Sequence, residues 1–427
     1  MQGKPILLPS TLGWQTLMTV LLGAAIGWLA WGTGRQPVVA LLIPVLAVVL
    51  ERTTLTIALF IGYMAVATRS ILLGAFTFSI LRGDALAGAA GWSAYVVGMG
   101  LLWGFAAGKP TAMLRRLLGL LLLEMALLLP PTWLLGIAHP VLGVGYLLGG
   151  AGWWGLAAGL TLPLAIGAVL KATAARDVGL TAVAVFLAVM SWTGEDPELR
   201  NTALTHGVVT RAGSTMETDM DAAARLPLLA AGLEAANAGF DGKDRVKLVV
   251  FPEAAIGVAN ESLPLLVRLE IQPVANHGNV SAFIGVDRAI DGRRQVSALV
   301  VQPNKPPAWI DARQPMPVAL WHPWSEDSFE ADWTRSSQVE VEGVGRVWVS
   351  FCFEDVLPGF VLSAILHKPD QIVSMANNWW STEDGSQAQA RSIESVARLF
   401  QIPLVRGVNL PMNSGAATSA PGVVAAR

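Results

Sequence analysis

Two hydrophobic patterns divide the chain. Through residue 193, apolar runs recur at about 11–32, 37–50, 53–68, 86–107, 112–130, 150–170 and 178–193. A helix that crosses a bilayer needs about 20 predominantly apolar residues, so these runs predict seven spans, several with ends reaching into polar flanks. A further run at 71–82 is too short to count. Gly136–Gly150, with several glycines and His139-Pro140, is too broken for a plain helix. It reads as a hairpin or re-entrant loop, which is allowed where protein or water covers the backbone.

From Asp196 the period changes. Met216–Ala238 has Met, Leu and Ala at helical spacing with acids on the other face,. Val246–Phe251 is largely β-branched and stops at Pro252, a buried-strand signature,. Ser281–Val286, Val296–Val301, Arg346–Phe351, Gln371–Met375 and Pro403–Val408 are further strand candidates, and helical patterns at Leu357–His367 and Gln387–Gln401 separate the later ones. Strands alternating with helices predict a layered α/β domain. The expected boundary is at 194/195, giving a membrane domain over 1–194 and a second domain over 195–427.

Composition supports that division. The chain is 53% hydrophobic and 14% charged, where a soluble domain is about a quarter charged. Residues 1–194 carry 14 of the 60 charged side chains and the remainder carries the other 46. A net charge of −2 gives no reason to expect a nucleic-acid partner,. With an N-terminus inside, the inner segments hold Lys4, Arg52, Lys109, Arg115, Arg116, Lys171 and Arg176, and the outer ones hold Arg35, Arg69 and Arg82. Basic residues concentrate on the cytoplasmic side, so the chain is expected to start inside and, after seven spans, to carry its second domain outside. The first apolar run is followed at once by others and reads as a retained helix. Glu124, between Leu123 and Met125, is a functional candidate by its depth,. The plainer reading places it near the outer end of its helix, protonated or paired with an arginine.

The chain has one cysteine, Cys352. In an oxidising compartment a leftover thiol stands out. It follows the strand Arg346–Phe351, and Glu253 follows Leu248–Phe251 through a proline. A nucleophile at a sharp strand end exposes both its side chain and a backbone N–H that can stabilise an oxyanion. A cysteine also needs a base for its proton and a cation for the anions that follow; Glu253 qualifies as the base. His206, His277, His322 and His367 are scattered, with no metal-site or Cys–His spacing,, and no cofactor is expected.

Phe251-Pro252-Glu253, Cys352-Phe353-Glu354, Asn377-Asn378-Trp379-Trp380-Ser381, the stretch Arg391–Arg406 and Arg406-Gly407-Val408-Asn409 together resemble the nitrilase (carbon–nitrogen hydrolase) superfamily. Within it they resemble the membrane-bound branch typified by apolipoprotein N-acyltransferase. The resemblance implies an α-helical membrane domain of about seven spans followed by a nitrilase-like α/β domain, an αββα sandwich. It implies Cys352 as nucleophile, Glu253 as general base and Glu354 as support, with Phe353, Trp379 and Trp380 lining the lipid-side entrance. Membrane-interface anchoring is an equally open reading of the two tryptophans. The chemistry implied is two-step acyl transfer: a thioester forms on the cysteine from membrane phospholipid, and an amine of an exported lipoprotein accepts the acyl group.

This sequence departs from that branch at the catalytic lysine. Alignment through Ser297–Pro303 puts Arg313 there and Trp321 where the family has a second glutamate, with Lys305 as the alternative cation. Arginine donates hydrogen bonds but does not act as a proton donor. The Arg313-Gln314-Pro315-Met316-Pro317-Val318 pattern resembles plasmid conjugal-transfer proteins of the TraB type. That resemblance admits an amidase or transamidase acting on an exported protein such as a pilin, including joining its termini, and also a catalytically impaired assembly factor. The location expected is a bacterial inner membrane, crossed several times, with the catalytic domain periplasmic.

Overall fold

The computed structural model describes residues 11–74, 85–109, 112–174, 176–190, 204–214, 219–238, 246–259, 262–290 and 292–411. The chain forms two compact units, Met1–Arg69 with Ala89–Gly194, and Ser70–Gly88 with Glu195–Arg427. The expected boundary at 194/195 lies outside the described residues.

The first unit is helical: α1 (Thr11–Trp31), α2 (Leu42–Val49), α3 (Thr53–Ala67), α4 (Ala85–Ala107), α5 (Met113–Ala126), α6 (Gly152–Ala172) and α7 (Arg176–Met190). Among the described residues three stretches, Leu12–Trp31, Gly88–Ala107 and Gly152–Ala172, are long and apolar enough to cross a membrane. The other apolar runs give shorter helices. Arg115 and Arg116 lie within α5 rather than in a loop. The Arg116 guanidinium is buried, donating to the Ala47 carbonyl and to Thr56 Oγ1. Glu124 is also buried, and the ring of His139 meets its backbone carbonyl at 3.1 Å. The broken stretch after Gly136 holds a 3-10 turn at Pro140–Gly143 and one α-turn at Val144–Leu147.

Residues 70–74 belong with the second unit, although the apolar pattern put them in the membrane half. The reason is contact. A Cβ on Gly74 would lie 2.3 Å from the Trp380 ring, and one on Gly385 would lie 2.5 Å from Ser70 Cβ.

The second unit holds two five-stranded sheets. The first runs β1 (Thr205–Gly207), β3 (Leu248–Val250), β4 (Ser281–Ile290), β5 (Arg293–Val301) and β6 (Ala308–Asp311). The second runs β2 (Val209–Thr210), β10 (Leu404–Asn409), β9 (Gln371–Asn377), β8 (Gly345–Phe351) and β7 (Gln338–Val341). Strands β1, β3 and β4 are mutually parallel, as are β2, β10, β9 and β8; the later members of each sheet turn antiparallel. The chain crosses between sheets at Val208, whose N–H donates to Val250 and whose carbonyl accepts from Val408.

Strand periodicity sets the layers. Leu248 and Val250 face one way, into a core shared with Phe283, Val349, Phe351, Val373 and Val405, which lies between the sheets. Val249 and Phe251 face the other way, onto α8 (Asp219–Ala238), α9 (Leu263–Glu270) and α10 (Gln272–Gly278). Side chains alternate faces along a strand, and a parallel strand apolar on both faces is buried on both. Helices α11 (Pro358–Leu366) and α12 (Glu383–Phe400) belong to the second half of this unit. Glu383 and Asp384 in the first turn of α12 complement its dipole, and Thr382 caps it by accepting from Gly385 N–H,. Sheet against sheet, with helices outside, is the αββα sandwich expected from the motifs.

Candidate active site

Cys352 and Glu253 meet at one pocket. Each sits where a parallel strand of a different sheet ends: Glu253 two residues past Phe251, and Cys352 at the first position of a 3-10 turn, Cys352–Val356, directly after β8. The backbone turns sharply after the acid, with Ala254 at φ +54°. The pocket is lined by Glu253, Cys352, Phe353, Asn377, Trp379 and Trp380, with Asp287, Gln314 and Met316 completing its polar and opposite walls. Five of the seven residues singled out from the sequence therefore line it. Glu354 is fully buried beneath, and Arg313 is directed elsewhere.

The thiol is half-buried, 4.0 Å from the Asn377 carbonyl and 3.9 Å from Asn378 Oδ1. Burial pushes its pKa well up, the charge of Glu253 adds to this, and the contact with Asn377 opposes it. The resting group is therefore the thiol, and its reaction requires a base. Glu253 is pushed well up as well, by burial first and then by the carboxyls of Asp287, Asp355 and Glu354. A carboxylate with raised proton affinity is a better acceptor near neutral pH.

Glu354 ties two segments together. Its Oε1 accepts from the backbone N–H of Arg313 (2.6 Å) and of Gln314 (2.9 Å), and its Oε2 accepts from Phe351 N–H (3.3 Å). The carboxyl thereby fastens the loop behind the pocket to the turn that carries Cys352. Beneath the turn, Asp355 accepts from Ser350 and Ser374 hydroxyls at 2.7 and 2.6 Å, with Arg406 3.8 Å away. Gln389 of α12 donates to the Cys352 carbonyl and accepts from Asn378 Nδ2. Side chains from three strands and one helix thus brace the turn that carries the nucleophile.

Arg313 does not supply the pocket's cation. Its guanidinium donates to Ser363 Oγ (2.9 Å) and to the Phe360 carbonyl (3.1 Å) and lies over the rings of Trp348 and Phe360, at 4.7 and 4.8 Å. The sequence placed this side chain at the site as its cation; the structure brings only the neighbouring residues, Ala312 and Gln314, to the pocket. In the loop after β6 the side chain of residue 313 points to α11 instead. Lys305 lies in the loop after β5, bonded to Gln302. Among the described residues lining the pocket, none is Lys or Arg. Arg313→Ala is expected to lower stability by about 2–4 kcal/mol through lost packing and an emptied polar niche. Reagent access to Cys352 in the folded fraction should stay within about threefold of the wild type; thermal unfolding and iodoacetamide labelling of the intact chain test both.

Sequence reasoning also missed Asp287. It lies on β4, 4% exposed, at the pocket wall. An acid after the apolar run Phe283–Val286 was its only signal.

No family model matches the chain. A probable conjugal transfer protein TraB of Sinorhizobium fredii is 30% identical over 296 residues, covering 68% of this chain and 72% of that protein. The chain belongs to the TraB family of conjugal transfer proteins. A second family member, the conjugal transfer protein TraB of Agrobacterium fabrum, is 27% identical over 418 residues, 93% of each chain. Among solved structures, an amidase of the nitrilase superfamily from Nesterenkonia sp. AN1 aligns at 12% identity with a TM-score of 0.37, over 49% of this chain and 79% of that one.

Proposed function

We propose that this TraB-family protein is a membrane-bound, Cys-dependent acyl-transfer enzyme serving conjugal transfer. The observation that carries the reading is the convergence of Cys352 and Glu253 on one pocket from the ends of two different sheets. The thiol proton passes to Glu253 as sulfur attacks an acyl carbonyl. Collapse of the tetrahedral intermediate expels the donor's leaving group, which takes the proton, and leaves a thioester on Cys352. An incoming amine, its proton taken by Glu253, attacks the thioester; the N–C bond forms, the C–S bond breaks, and the Cys352 sulfur regains that proton from Glu253. Phe353, Trp379 and Trp380 give the pocket an aromatic wall suited to an acyl chain. The reading further holds that about seven spans anchor the chain in the inner membrane, with the second unit on the periplasmic side. Membrane phospholipid is then the acyl donor, and an exported lipoprotein or pilin the acceptor.

The incoming group alone separates lipid-to-amine transfer from transamidation. Intact-protein mass spectrometry of the full chain purified from a transfer-competent host is expected to find an adduct on Cys352 that Cys352→Ala lacks. A fatty-acyl mass supports lipid transfer; a peptide mass supports transamidation. Cys352→Ala and Glu253→Gln should each lower conjugation by at least about a hundredfold, the scale of losing a nucleophile or its base. Full complementation by both variants would overturn the reading in favour of a structural assembly role.

A further inference from the structure

We infer that Asp287, as a neutral carboxylic acid, is the hydrogen-bond donor to the oxyanion formed in the pocket, in the role that a cation fills elsewhere in the resembled family. The inference rests on the acyl-transfer reading of the same site. Four observations carry it. First, the β4 alternation that turns Ala282, Ile284 and Val286 toward the helices turns Phe283, Gly285 and Asp287 toward the second sheet. Second, Asp287 lines the pocket with Cys352 and Glu253, opposite Val296 of β5 in register. Third, its carboxyl is nine-tenths buried and makes no hydrogen bond to a described residue; only its backbone is engaged, donating to the Gly257 carbonyl and accepting from Ala259 N–H. Fourth, the guanidinium that would have supplied charge is held by Ser363, Phe360 and Trp348.

Two carboxyls in one desolvated pocket favour sharing a proton over carrying two charges. The charge of Asp287 is itself among the causes that raise Glu253, so the pair shares its proton, and the reactive form is the one in which Asp287 holds it while Glu253, whose charge bears on the thiol, acts as base,. Burial raises Asp287 to about 7, with only the Arg294 charge opposing. The step balances: the thiol proton goes to Glu253, an S–C bond forms, and the carbonyl π pair moves to oxygen, where Asp287 O–H donates without transferring. The leaving group departs with the Glu253 proton. An oxyanion donor aimed at developing charge contributes about 10²–10³ in rate.

Two reagents separate this role from others. Acylation of Cys352 by p-nitrophenyl acetate passes through an oxyanion, whereas alkylation by iodoacetamide does not. In the full-length protein in detergent, Asp287→Ala is expected to slow acylation about a hundredfold with alkylation within about threefold. Asp287→Asn, which keeps a neutral donor, should recover to within about tenfold of the wild type. Both reagents slowing in parallel, neither slowing, or Asn as impaired as Ala would each overturn the assignment. If Asp287→Ala does not fold, a pH profile decides. The groups facing Asp287 are Glu253 from the turn after β3, Arg294 from β5 and Cys352 from the turn after β8. The wild-type ratio of acylation to alkylation should fall as pH rises through about 7, and that of Asp287→Asn should stay flat. A falling ratio in both variants, or a flat one in both, overturns it. Should the wild type alkylate but never acylate, the acyl-transfer reading itself fails, which is a different result.

Discussion

Gly285→Ala is expected to slow acylation of Cys352 by about a hundredfold and to cost about 2–4 kcal/mol of stability. Gly285 lies on β4 against the turn that carries Glu253. A Cβ there would stand 2.2 Å from the Pro252 carbonyl oxygen, 2.5 Å from Ala254 N and 2.5 Å from Glu253 Cα. All three are backbone atoms, so no side chain can rotate to make room. The turn is also held from the far side, where Ile256 N–H donates to the Gly285 carbonyl. The clash therefore moves Glu253 away from the thiol or breaks that anchor. Overpacking in a closed interior costs about 1–3 kcal/mol or more, and about 1 Å of misplacement in a catalytic group can cost about 10² in rate. Thermal unfolding, with acylation and alkylation rates on the intact chain, measures both effects. Wild-type acylation in this variant would show that the turn's position does not govern the reaction.

Glu354→Ala has the largest expected effect on folding. The carboxyl accepts from three backbone N–H groups, of Phe351, Arg313 and Gln314. Removing it leaves three buried donors without an acceptor, each costing about 1–3 kcal/mol, so a total of about 3–9 kcal/mol is expected. Domains are stable by only about 5–15 kcal/mol. The variant should therefore unfold far below the wild type or lose its second unit at 37 °C. Glu354→Gln keeps one carbonyl oxygen and is expected to fall between. Burial also raises the Glu354 pKa, with the Arg313 charge and the three N–H groups opposing. Neutralising it is thus tolerated better than deleting it. Scanning fluorimetry at neutral pH orders the three proteins, and an unchanged unfolding temperature in the alanine variant would show that the two segments hold together without it.

The two results would differ in kind. Gly285 governs where the base sits, whereas Glu354 governs whether the nucleophile's turn and the Arg313–Gln314 loop stay joined. Neither side chain lines the pocket. The distinction explains why a motif adjacent to a nucleophile can be indispensable without touching substrate.

Much of the second unit was legible in one dimension. Within Val246–Phe251 and Arg346–Phe351 the strands Leu248–Val250 and Gly345–Phe351 form because their residues suit a sheet buried on both faces, and a proline or a turn follows each. That information is local, and it located Glu253 and Cys352 at strand ends. Hydrophobic runs likewise marked the helices of the first unit, since length and apolarity are properties of a segment alone. Tertiary structure decided the rest. Gly74 faces Trp380 through a packing contact that no span-length rule contains. Whether the side chain of residue 313 faces the pocket or α11 depends on the conformation of the loop after β6, which Glu354 fastens through the N–H groups of Arg313 and Gln314. Asp287 meets Glu253 only because β3 and β4 pair as they do, placing two acids far apart in sequence within one desolvated space. Motifs specify which groups the chain carries; which of them share an environment, and so which hold their protons, is fixed by pairing and burial.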